Sequence, residues 1–513
     1  MHPSAPHTVA SAPRQRFSLP GIEQLWAIMA LALIGAFIAL VPTPPHDFWW
    51  HLKAGELVAT SGIPITNLFA WTLPAEHPYT YATWLGEWLF YALYRIGGLG
   101  ADVAARNLLG LAGFTLVAFE ARRRSGSWRL AALAALLAAM MTMNNLPTRT
   151  QNWSWVPFGL FALILGAYAA GQLRARALVA LPLLMVFWVN VHGAFVLGLG
   201  MLAIVAAGET LRRLLRQPDA PGWDRLGRLY AAAAATLAAT LLNPSGVGIF
   251  GYVRTLLANG SIQSLVSEWQ PPAPRGIANT VFFASILVLL AVFALGRRRP
   301  TITDVLLACA FLWLAWGSQR NVGWYGMLAM PMLAQGLARP RAPALRPAAP
   351  RMQLPSTIIA LVLAALVVVV QPPFKPALPL PAPYKALFAP VPGAPELFSS
   401  ETPVAATEYL RTHPGGGRLF NEMGYGSYLA WALYPAEQSF IDPRIELYPD
   451  TLWQDYVSIR DARDYNALLI DKYNVGRVLL DSVTMPRLAT ALAADQRWQR
   501  VYADDRAQIY VRR

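Results

Sequence analysis

The chain has 513 residues, 55% of them hydrophobic and only 14% charged, with a formal net charge of +14 and a mean hydropathy of +0.37. Soluble domains carry about a quarter charged residues, so this composition excludes a soluble globular protein and describes an integral membrane protein. Nor is the basic excess a nucleic-acid surface: from Gln371 onward 15 Lys and Arg meet 16 Asp and Glu, and the surplus sits among the apolar segments in short arginine clusters, the mark of cytoplasmic loops.

Residues 1–21 are rich in Pro and Ser and are expected to form a disordered cytoplasmic N-terminus. Apolar runs suited to crossing about 30 Å of hydrocarbon then follow at 22–41, 101–119, 129–146, 155–172, 178–191, 194–210, 228–243, 277–296, 302–318, 323–338 and 355–371, eleven in all. No small-residue cleavage site follows the first, which reads as an uncleaved anchor. Arg14 and Arg16 precede that span, and Arg122 to Arg124, Arg174 and Arg176, Arg212 to Arg216, Arg297 to Arg299 and Arg339 to Arg351 follow every second boundary thereafter. All of them face the cytoplasm if odd spans run outward, which puts the N-terminus inside and the C-terminus outside. The scheme requires "YATWLGEWLFYALYRIGG" (Tyr81–Gly98), with its Glu87 and Arg95, to be a helix lying in the outer interface rather than a span. The single cysteine, Cys309, rules out an intrachain disulfide and reads as a buried thiol.

Residues 22–371 therefore read as a transmembrane domain with a long first outer loop at 42–100. The stretch 372–395, "PPFKPALPLPAPYKALFAPVPGAP", predicts an extended proline-rich linker. Beyond it, 396–513 reads as a small extracytoplasmic α/β domain. "ETPVAATEYLRTHP" predicts a capped helix stopped by proline, and "GRLFNEM", "QSFIDPR" and "VGRVLLD" predict short strands. Helical periodicity follows at Thr451–Ile459, Ala462–Tyr473 and Met485–Ala493, then a terminal hairpin around Asp504-Asp505. The domain carries no Walker loop, zinc spacing or GxSxG.

The outer loops are unusual in what they hold. The first carries Asp47, His51, Lys53, Glu56, Glu76, His77 and Glu87. The second, "NNLPTRTQNWSW", has Arg149 and Gln151, and the third, "FWVNVHGAF", has Asn190 and His192. The fourth, "LNPSG" through "SEWQPPAPR", offers Asn243, Glu268, Trp269 and Arg275; the fifth, "WGSQRNVGWYG", offers Gln319, Arg320 and Asn321. Polar groups beside hydrocarbon are costly unless they face one another or a wet cavity, so five such loops on one side predict a single outward cavity. Plainer readings stand beside this one. Trp49, Trp50, Trp71, Trp84 and Trp88 suit an interfacial aromatic belt, His51 and His192 suit local hydrogen bonding more than metal ligation, and Asn190 suits the satisfaction of broken helix ends. Lys53 suits snorkelling to headgroups. Asp47, directly after the first span and flanked by aromatics, sits in a partly desolvated place that calls for a role.

Such an arrangement suits transfer of a sugar from a lipid-linked phosphate. Arg149 and Arg320 are placed to grip the phosphate with planar guanidinium forks. A nearby carboxylate would take the proton of an acceptor hydroxyl as the phosphate leaves. With arginines neutralising the leaving charge, the chemistry requires no cofactor or divalent cation in principle.

At these residues the chain resembles the GT-C glycosyltransferases, a superfamily that includes protein O-mannosyltransferases, aminoarabinose transferases and oligosaccharyltransferases. More narrowly, "DFWWHLKAGELVATSGIPITNLFAWT", "WLGEWLF", "RTQNWSWVPF", "WVNVHGAFVLG", "LNPSG" and "FNEMGYGSYLAWALYPAEQSFIDPRIELY" resemble a bacterial group of GT-C-like membrane proteins, over about residues 22–500. The resemblance implies a polytopic α-helical fold and a hexosyl- or pentosyltransferase that uses a polyprenyl-phosphate sugar donor and an extracytoplasmic lipid, glycan or protein acceptor. It also implies that the first-loop acid, Asp47, is the general base. Members often carry two adjacent acids there, whereas Phe48 follows Asp47 in this chain, leaving Glu56 and Glu87 as candidates for the second carboxylate. The candidate set is thus Asp47 and Glu87 for catalysis, with His51, Lys53, Arg149, Gln151, Asn190, His192, Glu268 and Arg320 for substrate. In "FNEMGYGSYLAWAL" Gly424 and Gly426 suit a tight strand-to-helix passage, and Asp442 and Arg444 either pair within the domain or face the cavity. Competing readings are a flippase for lipid-linked saccharides, which lacks support from any inverted repeat, and a non-enzymatic envelope scaffold.

Overall fold

A computed structural model describes residues 20–258, 260, 266–296, 298–338, 350–371 and 397–513. Residues 1–19 and 372–396 lie outside this set, and with them almost all of the expected disordered N-terminus and the whole expected linker, as do Arg297 and most of the Arg339 to Arg351 cluster.

Backbone polar groups in hydrocarbon must be satisfied within their own segment, which favours helices, and a helix occupies each of the eleven apolar runs. Four of them, Ile22–Ala39 (α1), Trp84–Ser125 (α3), Phe195–Leu214 and Gly276–Leu295, are long and apolar enough to cross a bilayer by length and composition alone. Others are shorter, such as Trp155–Ala169 with 15 residues and a rise of roughly 22 Å. The chain is a multi-pass membrane protein. Its topology is open to a direct test: reporter fusions after Arg124, Arg176, Arg216, Arg299 and Arg351 are expected to report cytoplasm, and one after Gln371 the outside. An outside signal at Arg124 would make Tyr81–Gly98 a span and reverse the scheme.

That segment is in fact set apart from the following span. The helical run α3 is interrupted at Gly97 (φ −149°, ψ 25°) and Gly98 (φ 60°, ψ −161°), and a positive φ with that ψ is reached readily only without a Cβ. Two helices therefore meet at Gly97-Gly98, one carrying Glu87 and one running on to the arginines at 122–124. Before it, Asp47–Ser61 (α2) forms a helix that begins with Asp47 itself and ends at Gly62, whose φ is 88°. The cysteine reading is corrected: Cys309 is exposed on the helix Ile302–Gly317, a face turned away from the other helices, where an apolar thiol sits comfortably against hydrocarbon.

The C-terminal body is a four-stranded sheet of order β1-β2-β4-β3. Arg418–Asn421 (β1) pairs parallel to Val475–Asp481 (β2), which pairs antiparallel to Ala507–Arg512 (β4), and Trp498–Ala503 (β3) closes the edge as the predicted hairpin. The buried β2 explains the near-continuous apolar run of its sequence. Helices follow at Val404–Thr412, Met423–Leu433, Asp450–Arg460 and Pro486–Ala494. The first has no side-chain cap, so its capped reading is corrected. Periodicity at Ala462–Tyr473 gives only a short wide turn at Ala467–Lys472. "QSFIDPR" is not a strand. Pro443 has no N–H to offer a ladder, and the Asn421 side chain replaces backbone pairing by accepting from Phe440 N (2.7 Å) and donating to Ile441 O (2.8 Å). Gly426 makes this possible: a Cβ there would lie 2.3 Å from Ile441 O.

The two bodies are stitched together by the first loop. Thr43 bridges Phe398, and Ala70 bridges Ser439. Trp49 is buried, stacks on Phe398 with centroids 4.8 Å apart, and meets Tyr428 edge-on. Trp50 is buried too, with its backbone N–H on Ser427 Oγ (2.9 Å), and Trp71 donates to Leu419 O (3.0 Å). The aromatic-belt reading therefore fails for Trp49, Trp50 and Trp71, which are joints between the helices and the C-terminal domain; Trp88 alone of the five is prominently exposed, at 40%.

Candidate active site

Asp47 opens α2 because the chain reaches it stiffly: Pro42, Pro44 and Pro45 restrict the approach, and Trp49 Nε1 donates back to Pro44 O (3.1 Å). A carboxylate in the first turn also meets the positive end of the helix. Four residues on, His51 shares its face. That face meets the turn at 149–152: Asp47 Oδ2 lies 3.7 Å from Arg149 Nη1, and His51 Nε2 lies 3.4 Å from Thr150 Oγ1. The Asp47 contact is an ion pair too long for a hydrogen bond, and its side chain stays 32% exposed. A carboxylate so held keeps lone pairs for an incoming hydroxyl.

Arg149 is fixed from below and engaged from above. Its backbone N–H donates to Asn152 Oδ1 (2.8 Å), Nη2 donates to Asn145 Oδ1 (2.9 Å), and Nη1 donates to Glu268 Oε2 (2.6 Å). Glu268 Oε1 accepts from Arg320 Nη1 (3.3 Å), so one carboxylate joins both guanidiniums. Arg320 in turn lies over the Trp269 ring, 5.1 Å from its centroid, a favourable cation–π placement. Burial opposes the charge of Glu268, but Arg149 and Arg320 outweigh it and hold its carboxyl down at about 2. Burial likewise opposes the charge of Arg149, and Glu268 and Asp47 more than offset it, lifting Arg149 above the ordinary arginine range.

His192 completes the ring. Its Nε2 lies 3.2 Å from Arg320 Nη2, and its Nδ1 lies 3.0 Å from Ser154 Oγ and 3.2 Å from the backbone N of Ala194. Ser154 Oγ also accepts from Trp188 Nε1 (2.9 Å). Burial first, then the positive fields of Arg320 and Arg149, press His192 well below the ordinary histidine range, so it stays neutral and able to accept.

One side chain from each of the five polar loops, Asp47, Arg149, His192, Glu268 and Arg320, thus enters one connected cluster. Glu87 lies beside it, fully buried, receiving His51 Nδ1 (2.9 Å) and Thr83 Oγ1 (2.7 Å) on Oε1. Among the described residues its Oε2 has no partner, nor has the buried Gln151 Oε1. Lys53 stands elsewhere, paired with Glu56 (2.7 Å) near the rings of Trp431 and Tyr434. Asn190 is spent on structure: it accepts from Trp84 Nε1 (2.8 Å) and donates to Val186 O and Leu242 O (2.8 Å each). Sequence reasoning did not single out Ser154, Trp188 or Asn145, whose roles arise only when loops far apart in the chain meet. It also missed a link to the C-terminal domain, where Tyr79 and Tyr252 both donate to Glu446 Oε1 (2.9 and 3.1 Å).

No family profile and no curated protein sequence matches the chain. Its fold does match solved structures. ArnT from Cupriavidus metallidurans bound to undecaprenyl phosphate is 15% identical with a TM-score of 0.50, covering 94% of this chain and 97% of that one. Its apo structure is 16% identical with a TM-score of 0.50, covering 94% and 96%. The arabinofuranosyltransferase AftD from Mycobacteria is 15% identical with a TM-score of 0.51, over 96% of this chain but 42% of that one. The chain shares the fold of these proteins.

Proposed function

We propose that the protein is a glycosyltransferase that moves a sugar, hexosyl or pentosyl, from a polyprenyl-phosphate-linked donor to an extracytoplasmic acceptor. The observation that carries this reading is the convergence of two arginines and a partly exposed carboxylate at the end of the helix body that bears the C-terminal domain. ArnT, a fold relative seen bound to undecaprenyl phosphate, supports a lipid-phosphate ligand. In the proposed step the acceptor oxygen attacks the anomeric carbon from the face opposite the phosphate, which inverts that centre. The bond from that carbon to the phosphate oxygen breaks, and polyprenyl phosphate departs with the bonding pair. Asp47 takes the hydroxyl proton, while Arg149 and Arg320 meet the charge that grows on the phosphate. His192, held by Ser154 and Trp188, turns the Arg320 fork toward it.

Purified protein given a labelled polyprenyl-phosphate sugar is expected to release polyprenyl phosphate and label an envelope acceptor. Lipid scrambling with no cleavage of the donor would instead establish a flippase. Replacing Arg149 or Arg320 by Lys leaves charge but removes the planar fork, so donor binding is expected to weaken roughly tenfold in each variant with folding retained. Unchanged donor affinity in both would reduce these arginines to interfacial anchors.

A further inference from the structure

Glu268 is the one member of the cluster whose position conflicts with the reading just given. Both of its oxygens lie on the guanidiniums that would hold phosphate, Oε2 at 2.6 Å from Arg149 Nη1 and Oε1 at 3.3 Å from Arg320 Nη1. With Asp47, the cluster balances two negative and two positive charges. A phosphate added to that set would stand beside a carboxylate with no positive charge left to offset it. Protonation offers no escape at neutral pH, since the two arginines hold the Glu268 carboxyl at about 2 against the opposing effect of burial.

We infer that Glu268 is an internal counter-anion that fills the two-arginine cradle when no donor is bound and is replaced there by the lipid-linked phosphate. The inference rests on the phosphate reading of Arg149 and Arg320. The exchange needs only a side-chain rotation. The Glu268 backbone is anchored through its carbonyl to Ser318 Oγ (3.0 Å), and Gln270 O accepts from Gln319 N (2.9 Å). Trp269 keeps its place on Arg320 through the swing. The Glu268 side chain is 26% exposed, so the carboxylate has water to enter on leaving the arginines.

The same residue acts again after transfer. The donor phosphate is a diester with one charge, whereas the departing polyprenyl phosphate is a monoester that approaches two near neutral pH. A product of higher charge would cling to the cradle, and Glu268 competes for the same nitrogens and hastens its release. Glu268 therefore sets how strongly the enzyme is inhibited by its own lipid product.

The test is binding of a short-chain polyprenyl phosphate to purified full-length protein in detergent, for wild type, Glu268→Gln, Glu268→Ala and Arg149→Ala, with the thermal midpoint of each recorded. Both Glu268 variants are expected to bind about tenfold more tightly than wild type, since a competing charge-assisted contact is gone, and Arg149→Ala more weakly. Equal or weaker binding by folded Glu268→Gln and Glu268→Ala, with Arg149→Ala still impaired, would overturn the counter-anion role while leaving the phosphate reading intact. Arg149→Ala binding as well as wild type would overturn both.

Discussion

Asp47→Asn is expected to lower sugar transfer by about a hundredfold to ten-thousandfold, the usual range for loss of a general base, while leaving donor binding and folding in place. The amide keeps the size of the carboxylate and leaves an uncharged contact with Arg149 in place of the 3.7 Å ion pair. What it cannot do is accept a proton from an attacking hydroxyl. Glu87→Gln is expected to cost less, because Glu87 is sealed beneath His51 and Thr83 and acts by holding them. The measurement is a transfer assay on folded variants with donor affinity measured alongside. Wild-type turnover by Asp47→Asn would remove the carboxylate from the mechanism.

Asp442→Ala is expected to destabilise the outer domain by about 3–5 kcal/mol, the penalty for leaving a buried charge without its partner. Asp442 and Arg444 are both fully buried and share two hydrogen bonds, Nε to Oδ1 at 2.9 Å and Nη2 to Oδ2 at 2.7 Å. The guanidinium also lies 4.7 Å from the Phe69 centroid and reaches Tyr81 and Asn67 of the first loop. Removing the acid strands that charge at the seam between two bodies. The double variant Asp442→Ala/Arg444→Leu is expected to recover part of the loss, since it removes the stranded ion. Thermal unfolding and protease resistance of the outer domain provide the measurement, and wild-type stability in Asp442→Ala would show that the pair is dispensable.

Much of this arrangement is legible in the sequence because membranes make polar residues expensive. Asp47, Arg149, His192, Glu268 and Arg320 stand out as charged or polar groups at the ends of apolar runs, and the arginine clusters give the runs alternating polarity. The break at Gly97-Gly98 was foreshadowed by the failure of Tyr81–Gly98 to fit the charge pattern. What the residues alone hid are relations made in space. Nothing local shows that Glu268 bridges two arginines, or that the Trp188 indole steadies His192 through Ser154. Aromatic residues beside a span look like a belt until an outer domain is placed on them, as Trp49 and Trp50 show. "QSFIDPR" has the composition of a strand, but Pro443 and the side chain of Asn421 give its backbone other partners.

The seating of Trp49 on Phe398 and Tyr428, and of Thr43 and Ala70 on Phe398 and Ser439, has a consequence for the order in which the molecule is made. The helix that begins with Asp47 leaves the ribosome early, yet the surfaces that clamp it are translated only after the last membrane segment. A nascent chain with all its membrane helices inserted therefore still lacks the surfaces that seat Trp49 and Trp50 beside the acid. The candidate site is complete only when the final hundred or so residues have been made and have folded onto the helices, as expected where domains fold in turn during synthesis. Until that moment the helix that begins with Asp47 packs on one side only.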